Sequence, residues 1–188
     1  MKILLRDVRL AFPALWKAQA PSSGGDPAFS ASFIIPKTHK QLPEIQAAIK
    51  SLAAEKWHDK APAILKAMQA GDKLCLHDGD TKSEYEGYAG ALFISSRAKV
   101  RPTVFDQQRD ELSEADGKPY SGCYVNASLE LWAQDNAFGK RINAQLRGVQ
   151  FLRDGDAFAG GSRPAAADEF DDLGTADGAE ADSSDLLG

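Results

Sequence analysis

Cysteine is scarce in this chain of 188 residues, which holds only Cys75 and Cys123. Two thiols so far apart make no disulfide framework, and a reducing compartment suits them. The histidines His39, His58 and His77 are equally scattered, and Cys75-x-His77 offers one pair of ligands where a structural zinc site needs two. No apolar run is long enough to cross a bilayer. The opening MKILLRDVRL carries Arg6, Asp7 and Arg9 where a secretory signal needs an unbroken apolar stretch, so a soluble, intracellular protein is expected. A Walker-type glycine loop, a nucleophile elbow and a dinucleotide fingerprint are all missing. Asp78, Asp80, Glu84 and Glu86 lie near Lys82 and in principle suit a Mg²⁺-dependent nuclease. Such carboxylates in a glycine-containing polar turn are ordinary surface chemistry, so neither catalysis nor a cofactor or metal is expected.

Basic residues are absent from the C-terminal stretch. The last 25 residues, 164–188, contain eight Asp or Glu and no Lys or Arg; they carry −8, which leaves +3 on residues 1–163 of a chain whose net charge is −5. A mildly basic body with an acidic arm differs physically from a uniformly acidic globule, because the arm can fold over a cationic surface and compete for the anion it binds. The arm has too little apolar area to offset the entropy of ordering it, so disorder is expected. Within it Phe170, Leu173, Leu186 and Leu187, beside Asp171, Asp172 and Asp185, are candidate anchors for a partner protein. Residues 1–163 are long enough for one domain with a real core.

What is present in that body is mostly period two. Residues 2–12 read as a strand with Leu4, Val8, Leu10 and Phe12 on one face and Arg9 on the other, and residues 28–35 as a second with Phe29, Phe33 and Ile35 inward, stopped by Pro36. Ser, Gly and Pro between them, at 19–27, mark a projecting loop. The period then changes to about 3.6: a helix is predicted from Thr38 or His39 to about Asp59, with Leu42, Ile45, Ile49, Leu52 and Ala53 on one face and Trp57 extending it. A shorter helix starts at Pro62, carries Ile64, Leu65 and Met68, and ends at Gly71. After a polar turn, strand character returns at 88–94 and runs toward Val100, and residues 106–119 read as a long surface loop. The clearest hairpin pairs residues 123–132 with 141–152. Several strands with one helical insertion suggest an antiparallel barrel or strongly curved sheet.

Three patterns in these strands carry chemistry. In SRAKVRP, Arg97, Lys99 and Arg101 alternate, which places three cations on one strand face and suits an extended polyanion. In CYVNASLELW, Cys123, Val125, Ala127, Leu129 and Leu131 point to the core, leaving Tyr124, Asn126, Ser128, Glu130 and Trp132 outward. Stacking a base on such a ring is worth ~1–3 kcal/mol and ignores sequence. In GKRINAQLRG, Lys140 precedes an outward row of Arg141, Asn143, Gln145 and Arg147. Aromatic, amide and guanidinium groups on one face are the combination for phosphate contact plus base stacking. Tyr85, Tyr88 and Tyr120 are further aromatic candidates that border turns, and Trp16 with Lys17 is another.

The segments KILLRDVRLAFPALW, ASFIIPK, SRAKVRPTVFD, SGCYVNASLELWA and RINAQLRGVQFLRDGDAF, followed by the acidic tail, resemble a family of bacteriophage single-stranded DNA-binding proteins that includes a member from an Enterobacter-infecting phage. The plan is also similar to that of the replication single-strand-binding protein of T7-like phages. The resemblance implies an oligonucleotide-binding (OB-fold-like) barrel over residues 1–163 and a non-enzymatic protein that coats exposed strands in DNA replication or recombination. It also implies replication or recombination partners met through the tail, and a place in the cytoplasm of the infected bacterium; a homo-oligomer is compatible with it. This chain ends DLLG, where the T7-like pattern ends on acidic residues capped by an aromatic. The rival readings are a phage structural or assembly adaptor, and the nuclease.

Overall fold

The first strand, β1 (Lys2–Gln19), is much longer than its alternation suggests, and its register shifts at three places. The structure, a computed structural model, describes residues 1–21 and 24–158. Leu5, Val8 and Leu10 face the core, while Leu4 and Phe12, both expected inward, are 42% and 53% exposed. The reason is a pair of bulges. Asp7 and Phe12 adopt positive φ (53° and 48°), and the register slips by one residue between Leu5 and Val8 against one neighbour and between Ala11 and Ala14 against the other. One extra residue exchanges the faces of everything beyond it.

The remaining elements are β2 (Ala28–Pro36), α1 (Leu42–Trp57), α2 (Ala61–Ala70), β3 (Leu76–Asp78), β4 (Ala91–Ala98), β5 (Thr103–Phe105), β6 (Tyr124–Asn136) and β7 (Gly139–Arg153). β1 pairs antiparallel with β2 and β6, β2 with β4, and β6 with β7. A parallel contact between β4 and β7, at Arg97 and Gln145, closes the ring. The result is a five-stranded barrel of the OB type, flanked by β3 on β4 and by β5 running parallel to β7. The barrel, the helical insertion and the hairpin all match the expectation from sequence.

Val125, Ala127, Leu129 and Leu131 of β6 are completely buried, and they meet Phe33, Ile35, Ile94, Ile142 and Leu146 inside the barrel. On α1, Ile45, Ile49, Ala53 and Trp57 recur every fourth residue and press into the same core. Pro43 sits in the first turn of that helix. Its entry is tied to β1 by Gln41, whose side chain accepts from the Arg6 N–H (2.7 Å) and donates to the Leu4 carbonyl (3.1 Å). Its far end is tied to the hairpin by Trp57, which donates to Asp135 at 2.8 Å. Burial pushes the Cys75 and Cys123 thiols up to about 12, so both stay protonated and inert.

Two expectations are corrected. The strand expected to start at Tyr88 begins at Ala91, because Tyr88 belongs to a second, smaller core with Ala11, Ile34, Ala91, Phe93 and Phe158 that covers the outside of β2 and β4. Residues 106–119 are also not wholly free surface: Leu112 packs on the main core, and its N–H donates to the Val104 carbonyl at 2.8 Å.

Candidate nucleic-acid interface

Alternation holds over most of the final hairpin, so its outward row is real. Trp132 faces Asn143 across the pair, and Glu130 faces Gln145. The barrel closure then sets Gln145 beside Arg97, and Arg97 beside Ser30. A continuous outer surface therefore runs from β6 over β7 and β4 to β2. Trp132 is 44% exposed, and Arg97, Arg141, Gln145 and Arg147 are all on the surface.

Charge on this surface is not uniform. Arg147 is paired with Glu130 at 2.6 Å, and Lys140 with Asp135 at 2.6 Å. The Lys140 ammonium and the Trp57 indole hold the Asp135 carboxyl below its ordinary value. Among the described residues, none of Arg97, Lys99, Arg101 and Arg141 is in an ion pair. The expected single face for Arg97, Lys99 and Arg101 is not a strand face throughout, because β4 stops at Ala98 and the chain bends at Lys99. Arg97 donates to the Asp26 carbonyl at 3.1 Å, and the Arg101 guanidinium lies over the Trp16 ring at 5.1 Å.

The tyrosines separate from Trp132. Tyr124 shares its strand face, but at the opposite end of the hairpin, about 27 Å away along the strand. Its ring is covered by Arg153 at 3.4 Å on the centroid, with Arg9 at 5.6 Å. Tyr88 and Tyr120 are inside the protein, 1% and 6% exposed, and burial pushes both phenols up. The Tyr120 hydroxyl donates to Asp154 at 2.8 Å. Neither ring is placed to receive a base. Phe170, Asp171, Asp172, Leu173, Asp185, Leu186 and Leu187 lie outside the described residues.

The carboxylates of the polar turn are partly engaged by a neighbouring cation. Asp78 and Asp80 are engaged by Lys37, at 3.7 and 3.1 Å, and the Gly90 N–H and Lys37 hold the Asp80 carboxyl low. Among the described residues no three His, Cys, Asp or Glu side chains gather to hold a cation.

A family model described as the ssDNA-binding protein of Enterobacter phage Enc34 matches residues 1–185. The chain belongs to the Enc34 ssDNA-binding protein family. A putative protein, p50, of Acyrthosiphon pisum secondary endosymbiont phage 1 is 48% identical over 180 residues, covering 94% of this chain and 96% of the relative. The Enc34 protein itself, solved in complex with ssDNA, is 30% identical with a TM-score of 0.68 over 83% of this chain and 88% of the other. The single-stranded DNA-binding protein encoded by bacteriophage T7 shares the fold at a TM-score of 0.54 and 11% identity, over 81% of this chain and 91% of that one.

Three exposed rings in this Enc34-family chain escaped the sequence reading or were underweighted by it. Phe138 is 87% exposed at the β6–β7 turn, Phe12 is 53% exposed and Tyr85 is 44% exposed. Phe138 had a signal, being the one large apolar residue in a turn of Asn, Ala and Gly. Phe12 had none, because only the bulge turns it outward.

Proposed function

We propose that the chain binds single-stranded DNA without sequence preference across the outer face of β6, β7 and β4, and performs no chemical step. The observation that carries this reading is the set of cations without an ion pair among the described residues, on the same outer face as the exposed Trp132, on a barrel of the class whose side surfaces take oligonucleotides. Arg97, Lys99, Arg101 and Arg141 neutralise phosphates, Arg147 joins them once released from Glu130, and Trp132 stacks a base. Tyr124, whose ring carries Arg153 at 3.4 Å and Arg9 at 5.6 Å, serves as backing for their charge. The acidic tail competes with DNA for the same cations and, through Phe170, Leu173, Leu186 and Leu187, meets phage or host replication and recombination proteins in the cytoplasm of the infected bacterium.

The test is a titration of the whole chain with oligo(dT) and with duplex of the same length at several salt concentrations. Single strand is expected to win, affinity to fall steeply with salt, and Trp132→Ala to weaken binding about tenfold. A chain ending at residue 163 is expected to bind more tightly than the whole chain. Equal, negligible binding by both chains overturns the reading and favours an assembly adaptor.

Glu130 gives a prediction of opposite sign. Its carboxylate sits on the binding face and occupies Arg147, both groups being roughly half exposed. Glu130→Gln removes a negative charge and frees a guanidinium. Binding is expected to tighten about threefold at low salt, with the log–log salt dependence steeper by about 0.7, one extra phosphate. A weaker complex would mean that Glu130 holds Arg147 in its working position.

A further inference from the structure

β5 is an edge strand, and beyond it the chain builds a small hairpin that the DNA reading leaves unused. Phe105 bridges Glu111, and the turn between them is closed by the Asp106 N–H, which donates to the Asp110 carbonyl at 2.9 Å. The Asp106 carboxylate accepts from the Asp110 N–H at 2.8 Å. Such a turn holds one residue in the left-handed region, where glycine or asparagine sits with least strain. Here that residue is Arg109, with a φ of 74°. An arginine kept where the backbone favours glycine points to a use for its side chain.

Phe105, Gln108, Arg109 and Gln150 line an open hollow of about 620 Å³. Phe105 pairs with Gln150 of β7, and Gln150 pairs with Asn126, which belongs to the outward row of β6. Residues paired across a sheet share a face, so the hollow continues the outer face of the hairpin. Gln150 stands about 23 Å along β7 from Asn143, the residue opposite Trp132. The turn is held on the barrel in advance: the Gln150 amide donates to the Asp106 carbonyl at 3.1 Å and accepts from Asn126 at 3.1 Å, and Gln107 donates to the Leu152 carbonyl. Gln108 and Arg109 differ. Both are exposed, and among the described residues neither side chain has a hydrogen bond or an ion pair. The Phe105 ring is half-buried and, unlike that of Tyr124, has no cation over it among the described residues. None of Asp106, Asp110 and Glu111 lines the hollow.

A ring to stack on, a guanidinium for a phosphate and an amide for a base edge together match one nucleotide. We propose that the hollow takes one unstacked base of the bound strand, laid on the Phe105 ring, with Arg109 on the phosphate of that nucleotide and Gln108 at the base edge. An amide offers both a donor and an acceptor, so the contact does not demand one kind of base. The proposal rests on the ssDNA reading and extends it. Trp132 and Phe105 become two stacking points at opposite ends of the face, with Arg97 and Arg147 between them along β7.

The experiment uses the whole chain and oligo(dT) in which iododeoxyuridine replaces single thymidines, cross-linked by near-ultraviolet light and mapped by mass spectrometry. Cross-links are expected at Trp132 and at Phe105, the second disappearing in Phe105→Leu, which keeps an apolar side chain without a ring. In salt titrations Phe105→Leu is expected to weaken binding about tenfold at an unchanged slope, the loss of one stacked base. Arg109→Gly is expected to weaken it about fivefold and to flatten the log–log salt dependence by about 0.7, one phosphate. Its Tm is expected to stay level or rise, because glycine relaxes the turn. Binding without a cross-link at Phe105 overturns the hollow and leaves the ssDNA reading standing, and so does unchanged affinity in both variants. A lower Tm for Arg109→Gly also overturns it, by assigning Arg109 to the fold. An unaltered chain that binds no oligo(dT) overturns the ssDNA reading itself.

Discussion

Alanine at Arg97, Lys99 and Arg101 together is expected to weaken binding to oligo(dT) by about two orders of magnitude at low salt, and to flatten the log–log salt dependence by about 2. The second figure follows from about 0.7 per phosphate neutralised on a single strand. The first follows from about 1 kcal/mol for each charge-assisted contact made in water. Among the described residues these cations have no carboxylate partner, unlike Arg147 and Lys140, whose pairs with Glu130 and Asp135 must open before a phosphate can replace them. Replacing Arg147 or Lys140 alone is a smaller change for that reason. The fold is expected to tolerate the triple change, since the three side chains are exposed and the contacts given up are those of Arg97 with the Asp26 carbonyl and of Arg101 with the Trp16 ring. Fluorescence titration at four or five salt concentrations reads both quantities. An unchanged slope would place the phosphates on another face.

That face was half legible in the sequence. The hairpin of β6 and β7 follows period two closely, so its inward set from Cys123 to Leu131 and its outward set from Tyr124 to Trp132 could be read directly. β1 could not be read this way, because the bulges at Asp7 and Phe12 depend on neighbours that lie far away in sequence: Ala127 and Val125 on one side, Ser32 and Ser30 on the other. Leu4 and Phe12 were misplaced as a result. The helices were legible because Ile45, Ile49, Ala53 and Trp57 share one face whatever they pack on.

The site itself needed contacts no local pattern contains. Alternation could not show that Arg97 and Gln145 become neighbours, since the closing β4–β7 contact is parallel and joins strands distant in sequence. Nor could it show that Tyr124 and Trp132, on one face, stand at opposite ends of it. Glu130 and Asp135 were visible as outward carboxylates near cations, but their pairing with Arg147 and Lys140 is a matter of register across the hairpin. Tyr88 and Tyr120 border turns, and turn residues face inward whenever a loop folds back over the barrel, as residues 79–90 do here.

The largest effect on stability is expected from a residue outside every strand, Gly122. Its φ is +104°, and a Cβ added there would stand 2.1 Å from the Asp156 carbonyl oxygen and 2.9 Å from the Ala157 Cα. Two backbones pass each other here without room for a side chain. On one side the Gly122 N–H donates to Leu10 at 2.8 Å and its carbonyl accepts from the Arg9 side chain at 3.1 Å. On the other, the Phe158 N–H donates to Ser121 at 3.1 Å, and its ring lies under the Arg9 guanidinium at 4.2 Å. Gly122→Ala therefore strains its own backbone and drives off residues 156–158, removing Phe158 from the smaller core. A loss of about 3 kcal/mol is expected, roughly 10 °C in Tm for a domain of this size. Gly90→Ala is the control: φ is +72° there, but nothing lies within 4 Å of the added Cβ. It is expected to cost about 1 kcal/mol, from backbone conformation alone. Urea unfolding of the two variants separates close approach from strain, and equal losses would mean that the contact with residues 156–158 contributes nothing.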